Sequence, residues 1–281
     1  MQELGFLEDI HEFSPVEGKP IVVATWKGKD ASLPSILLNS HYDVVPVMEQ
    51  FWNYEPFGVR RSRPSASGEL LENGMIVGRG TQDMKCVCVQ YLEALRLLHS
   101  TGFVPARNIH LSYVPDEEIG GSDGMGKFLK SNQYQAMLPI ALALDEGLAN
   151  PTNKFTGTHH THSSSPAMLD EWCCAEGVSW EFVSKNPLHQ HHVTSVEDET
   201  NPLCAKFLDV AAKLGMDVEL DVFPAATDSR FLRQLGVPAL GFSPMNNTEV
   251  LLHEHNEMLH KDTFVRGIHL FKGIFEQLFD N

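Results

Sequence analysis

Five clusters of histidine and carboxylate side chains are the residues best suited to chemistry here. They are Asn39-Ser40-His41-Tyr42-Asp43, Gly78-Arg79-Gly80-Thr81-Gln82-Asp83, Pro115-Asp116-Glu117-Glu118, Asp145-Glu146-Gly147 and His253-Glu254-His255-Asn256-Glu257. Neutral imidazole and ionised carboxylate are ligands that suit Zn²⁺, and an unligated carboxylate beside a metal can carry protons. Taken singly, each cluster reads as ordinary turn and cap residues. Their repetition at the ends of successive strand-like segments points instead to a metallohydrolase.

Those segments are short apolar runs. Ile21–Trp26, Ile36–Leu38, Ile109–Val114 and Ile140–Leu144 read as buried strands, and the last three each run into a cluster. In open α/β sheets the carboxyl ends of strands are where ligands gather. Between them lies a helical pattern with Val87, Tyr91, Leu95 and Leu98 on one face and Gly102 as a stop. Ser122 is placed to cap a shorter helix carrying Met125, Phe128 and Leu129. Asn201-Pro202 opens a further helix, Val218–Phe223 and Val237–Phe242 read as strands, and Phe264, Ile268, Phe271, Phe275 and Leu278 form the core stripe of a last helix. The expected architecture is α/β, a mostly parallel sheet flanked by helices. Thr156–Met168 is polar and aperiodic and reads as a linker. Its His159, His160 and His162, like His189, His191 and His192, read as solvated loop residues.

The net charge of -16, from 21 Lys+Arg against 37 Asp+Glu, argues against nucleic acid or an anionic membrane as partner. No apolar run is long enough to span a bilayer, and Met1–Asp9 shows no secretory pattern. Cys86, Cys88, Cys173, Cys174 and Cys204 are an odd number without a CxxC pair, as expected of reduced thiols in the cytoplasm.

In order, LLNSHYDVVP, GRGTQDMKC, VPDEEIGG, ALDEG and LLHEHNE resemble the ligand series of the zinc aminoacylase and carboxypeptidase family. The stretches Ser35–Pro46, Asp83–Ala94, Asp145–Thr152 and Phe223–Asn246 carry the resemblance most closely, and it covers most of Met1–Thr156 and Leu169–Asn281. It implies two zinc ions per chain, one held by His41, Asp83 and Glu146 and the other by Asp83, Glu118 and His253, with Asp83 bridging. It implies Glu117 as the proton-transferring carboxylate, Asp43 as the residue fixing the His41 tautomer, and Arg230 as the clamp for a substrate carboxylate. Without the resemblance, Glu117 reads as a solvated loop carboxylate and Arg230 as a surface ion-pair residue.

The resemblance also exposes departures. Family members carry a segment preceding the position of Gln2 and a second α/β domain inserted after the ALDEG strand. That domain forms the family's dimer interface and places a lid histidine over the partner's site. Here only Leu169–Val183 resembles its last helix and, at Trp180–Val183, its last strand. The expected organisation is therefore residues 1–155 and 201–281 as two parts of one catalytic domain, with 156–200 as linker and lid remnant. The family's homodimer is not expected with most of its interface missing. The expected function is zinc-dependent cleavage of N-acyl-L-amino acids, small-molecule substrates, slowed by loss of the lid. A dipeptidase or carboxypeptidase is the alternative within the family. An inactive zinc-binding short form acting through protein interactions is the alternative outside it.

Overall fold

The computed structural model describes residues 1–58, 69–161, 170–171, 173–175, 177–179, 193–197, 199–223 and 225–280. The strands in chain order are β1 (Glu8–Val16), β2 (Lys19–Trp26), β3 (Ser35–His41), β4 (Glu69–Leu70), β5 (Met75–Val77) and β6 (Ile109–Val114). They continue with β7 (Ile140–Asp145), β8 (Phe155–Thr161), β9 (Val218–Phe223), β10 (Ala239–Phe242) and β11 (Met258–His260). The helices are α1 (Lys85–Ser100), α2 (Met125–Phe128), α3 (Asn132–Gln135), α4 (Pro202–Lys213), α5 (Ser229–Gln234) and α6 (Lys261–Leu278).

Eight strands form one sheet in the order β1-β2-β6-β3-β7-β10-β8-β9, and β11-β5-β4 form a small second sheet. The centre of the large sheet, β6-β3-β7-β10, is parallel throughout. β8 and β9 also pair in parallel, whereas β1-β2, β2-β6 and β10-β8 are antiparallel. This is the α/β architecture expected from the apolar runs, with a parallel centre inside a mixed sheet.

Strand alternation distributes the core to both faces. Ile36 and Leu38 join Val87, Tyr91, Leu95, Phe207, Phe271 and Phe275 on the side of α1, α4 and α6. Leu37, between them, joins Met125, Phe128, Tyr134 and Leu232 on the side of α2, α3 and α5. Each such buried side chain contributes roughly 1.5–3 kcal/mol relative to exposure. The stripe on α6 is core packing, as its spacing suggested: the Phe271 ring meets Tyr91 edge-on at 4.8 Å. Pro202 occupies the first turn of α4, where its missing N–H costs nothing.

Two local expectations are corrected. Part of the supposed linker, Thr156–Thr161, belongs to strand β8, seated between β10 and β9. Threonine, glycine and histidine hid its period, yet Thr156 and Thr158 are buried and β-branched side chains suit a pleated surface. Ser122 does not cap α2, which starts after Gly124. The Asp116 carboxylate instead accepts from the N–H of Asp123 at 2.8 Å. Leu169, Trp180–Val183, His162, His189, His191 and His192 lie outside the described residues. Among the described residues no helix is long and apolar enough to cross a membrane.

Candidate metal centre

The parallel strands deliver three of the clusters to one end of the sheet, and two loops supply the others. His41 is the last residue of β3, and Glu146 directly follows β7. Glu117 and Glu118 open the 3-10 turn after β6. Asp83 sits between β5 and α1, and His253 lies in the loop between β10 and β11.

Within this space Asp83 faces two ways. Its Oδ1 lies 3.0 Å from His41 Nε2, and its Oδ2 lies 3.1 Å from His253 Nε2. His41 Nε2 is also 3.4 Å from Glu146 Oε2, and His253 Nε2 is 3.0 Å from Glu118 Oε2. Two three-residue groups result, His41-Asp83-Glu146 and Asp83-Glu118-His253, each with donor atoms within 4.8 Å of one another. Ligand bonds of 2.0–2.2 Å in a tetrahedral zinc site imply separations of about 3.4 Å between donors, so these distances fit such an ion. The first group is buried, while His253 is half exposed and opens the second to solvent.

The electrostatics also fit a cation. Burial pushes Glu117 up to about 8, with Asp83 and Glu118 adding to the rise and His41 opposing it. Burial raises Glu118 and carries Glu146 well above the carboxylate range, with Asp83 adding to both. Burial disfavours charge on His41, but Glu146, Asp43 and Asp83 outweigh it and raise its pKa. Burial likewise opposes ionisation of Asp83, and hydrogen bonds from His253 and His41 reverse that and lower its pKa. Two imidazoles cannot balance so many carboxylates; divalent charge can.

Asp43 organises both sides of this space. Its carbonyl oxygen lies 3.1 Å from His41 Nδ1 and its Oδ1 lies 3.4 Å away. Donation from Nδ1 leaves the Nε2 lone pair facing Asp83 and Glu146. The same carboxylate accepts from the N–H groups of Glu117 and Glu118 at 3.2 and 3.1 Å. Arg230 reaches the loop after Glu118, donating to the Gly120 carbonyl at 2.6 Å, with its guanidinium 4.9 Å from the Phe231 ring centroid. Asp116 and His253 hold left-handed φ values of 77° and 65°, which non-glycine residues seldom adopt.

Some supporting residues had no role assigned from sequence. Asp145 accepts from Asn39 Nδ2 at 3.1 Å, Ser229 N–H at 2.9 Å and Ser229 Oγ at 2.7 Å. Ser112 Oγ completes the chain by donating to Asn39 Oδ1 at 2.6 Å. This buried network fixes the peptide that carries Glu146. The available signal was polar Asn39 and Ser112 lying next to apolar residues of β3 and β6. Asp228 is buried, and both its carboxylate oxygens lack a protein hydrogen-bond partner among the described residues. Glu257, read only as part of a cluster, is fully buried behind Asp83.

Comparison with known proteins adds sequence and fold relationships. The profile of Peptidase family M20/M25/M40 matches residues 37–277. Aminoacylase-1 of Mus musculus is 35% identical over 357 aligned positions, covering 94% of this chain and 84% of the mouse protein. That alignment is longer than the 281-residue chain, so the mouse protein carries internal positions without a counterpart here. The crystal structure of an M20 family metallo-carboxypeptidase, Sso-CP2 from Sulfolobus solfataricus, superposes with a TM-score of 0.71 at 13% identity, covering 99% of this chain and 92% of that one. Human carnosine dipeptidase 1 superposes with a TM-score of 0.69 at 10% identity, covering 99% and 88% respectively.

Proposed function

The chain belongs to peptidase family M20/M25/M40 and is a metal-dependent amidohydrolase, and on that premise we propose that it cleaves N-acyl-L-amino acids to a carboxylate and a free amino acid. The observation that supports this reading is the convergence of His41 and His253 on opposite oxygens of Asp83, with Glu117 beside ligand candidate Glu118. The similarity to aminoacylase-1 at 35% identity favours N-acyl amino acids over peptides as substrates.

In this reading His41, Asp83 and Glu146 would hold one zinc ion, and Asp83, Glu118 and His253 would hold a second. Bound zinc supplies Lewis-acid polarisation of the amide carbonyl, a lowered pKa for water, and positive charge that restores Glu117 to its carboxylate form. Glu117 accepts the proton of the attacking water and returns it to the nitrogen of the departing amine. Asp43 keeps Glu117 and Glu118 in place through their N–H groups and holds the His41 ring. Arg230 offers a planar donor fork to the free carboxylate of the substrate. The free thiols of Cys86, Cys88, Cys173, Cys174 and Cys204 support a cytoplasmic setting.

The extra positions of the mouse enzyme support a second reading of catalytic strength. In this reading they correspond to the inserted lid domain, of which the sequence at Leu169–Val183 would be the remnant. Loss of a lid histidine that stabilises the oxyanion slows turnover by about 10²–10³. Hydrolysis of N-acetylmethionine by zinc-supplemented protein tests the assignment. Measurable turnover abolished by chelation supports it; firm zinc binding without turnover of this or any N-acyl amino acid favours the non-catalytic form.

A further inference from the structure

We infer that Arg79 and Glu257 form a clamp that sets the spacing between Asp83 and His253 and thereby the metal affinity of the centre, a role that rests on the dinuclear reading of that centre. Neither residue offers a ligand atom to it. Both act through backbone.

Glu257 is fully buried, and its two oxygens are fully committed to the loop that ends at Asp83. Oε1 accepts from the N–H of Gln82 at 2.6 Å and of Asp83 at 3.2 Å. Oε2 accepts from the N–H of Gly80 and from Arg79 Nη1, both at 2.9 Å. Four donors converge on one side chain, and only a carboxylate presents acceptors to all of them. A glutamine would turn an NH₂ toward donors at one end. A buried ion pair is weak evidence for stability, since desolvation offsets the attraction. Its geometric consequence is the stronger observation.

That consequence extends to the second loop. Arg79 Nη2 donates to the carbonyl of His253 at 3.3 Å, and its guanidinium lies 5.2 Å from the Trp52 ring centroid. His253 is the residue held at a φ of 65°, a conformation that persists only where its surroundings fix it. Gln82 adds three further ties, donating to Glu249 and Met258 carbonyls at 3.0 and 2.8 Å and accepting from Leu251 N–H at 3.0 Å. The loop delivering Asp83 and the loop delivering His253 are therefore one hydrogen-bonded unit, with Arg79–Glu257 at its centre.

The test is zinc titration calorimetry on the full chain, with cobalt absorption as a readout of coordination and thermal melting of the metal-free protein as a folding control. Arg79→Lys keeps the charge opposite Glu257 but loses the second arm to His253. It is expected to melt near wild type without metal, to weaken the less tightly bound metal by ~10–100-fold, and to alter the cobalt spectrum of that step. Glu257→Gln is expected to weaken both steps, because Asp83 belongs to both groups. If Glu257→Gln does not fold, Arg79→Lys decides the matter. A folded Arg79→Lys protein with wild-type stepwise affinities overturns the clamp while leaving the metal centre intact. Absence of metal uptake by the wild-type chain overturns the centre itself, and the clamp with it.

Discussion

His253 Nε2 stands 3.1 Å from Asp83 Oδ2, although 170 positions separate the two residues in the chain. The contact ties the loop before β11 to the start of α1, and it occupies the carboxylate oxygen opposite the one facing His41. A carboxylate with a different imidazole at each oxygen is an arrangement that suits a bridging metal ligand. A dinuclear centre stands or falls with that shared position.

Glu117 is expected to act on protons and not on metal. Glu117→Gln should retain full metal content while lowering hydrolysis by about 10²–10⁴. Metal analysis and N-acetylmethionine turnover on the same preparation check this. Loss of metal together with activity would make Glu117 a ligand and vacate the role assigned to it.

His253 belongs to only one group, so His253→Ala should cost one metal ion and leave the group of His41, Asp83 and Glu146 loaded. Inductively coupled plasma measurement after exhaustive dialysis reads this directly. Unchanged stoichiometry would place the second ion elsewhere.

Gly241 in β10 leaves room for the peptide that carries Glu146. A Cβ there would fall 2.3 Å from the Glu146 carbonyl oxygen and 2.2 Å from Thr158 Oγ1. Gly241→Ala should therefore destabilise by about 1–3 kcal/mol and weaken metal binding by the His41 group. Urea denaturation with parallel zinc titration tests both effects. A variant as stable as wild type with unchanged affinity would show that β10 shifts without consequence.

His110 gives a pH dependence away from the metal centre. Burial lowers its pKa from 6.5 to about 4, slightly opposed by Asp9, and its Nδ1 lies 2.9 Å from Thr25 Oγ1. Between these values the unfolded chain binds a proton that the folded chain refuses. The stability from keeping His110 neutral is thus complete above about pH 6.5 and lost as pH falls toward 4, by up to roughly 3 kcal/mol. Urea melts of metal-free wild type and His110→Gln should show wild type losing stability relative to the variant as pH falls through this range. Parallel curves would remove the assignment.

The legible parts of the fold were those where side-chain type and local period coincide. Ile109–Val114 and Val218–Phe223 read as strands from their apolar or alternating residues, and they are β6 and β9. The five clusters stood out because ligand-type residues close several segments in succession, and the family resemblance picked His41, Asp83, Glu118, Glu146 and His253 from them. The structure brings their side chains together. Strand β8 was hidden because Thr156, Gly157 and Thr158 are buried without being apolar, its place being set by β10 and β9 on either side. Glu257 was hidden for another reason. Its partners are backbone N–H groups, and every residue type but proline has one, so no spacing in the sequence announces it.

Metal content of Asp83→Ala against wild type, measured after dialysis and repeated with saturating zinc, tests the shared carboxylate most directly. Two tightly bound ions per wild-type chain and loss of both from a folded variant is the expected result. Wild-type protein that keeps one ion or none, or a variant that still holds two, would contradict a centre built on Asp83.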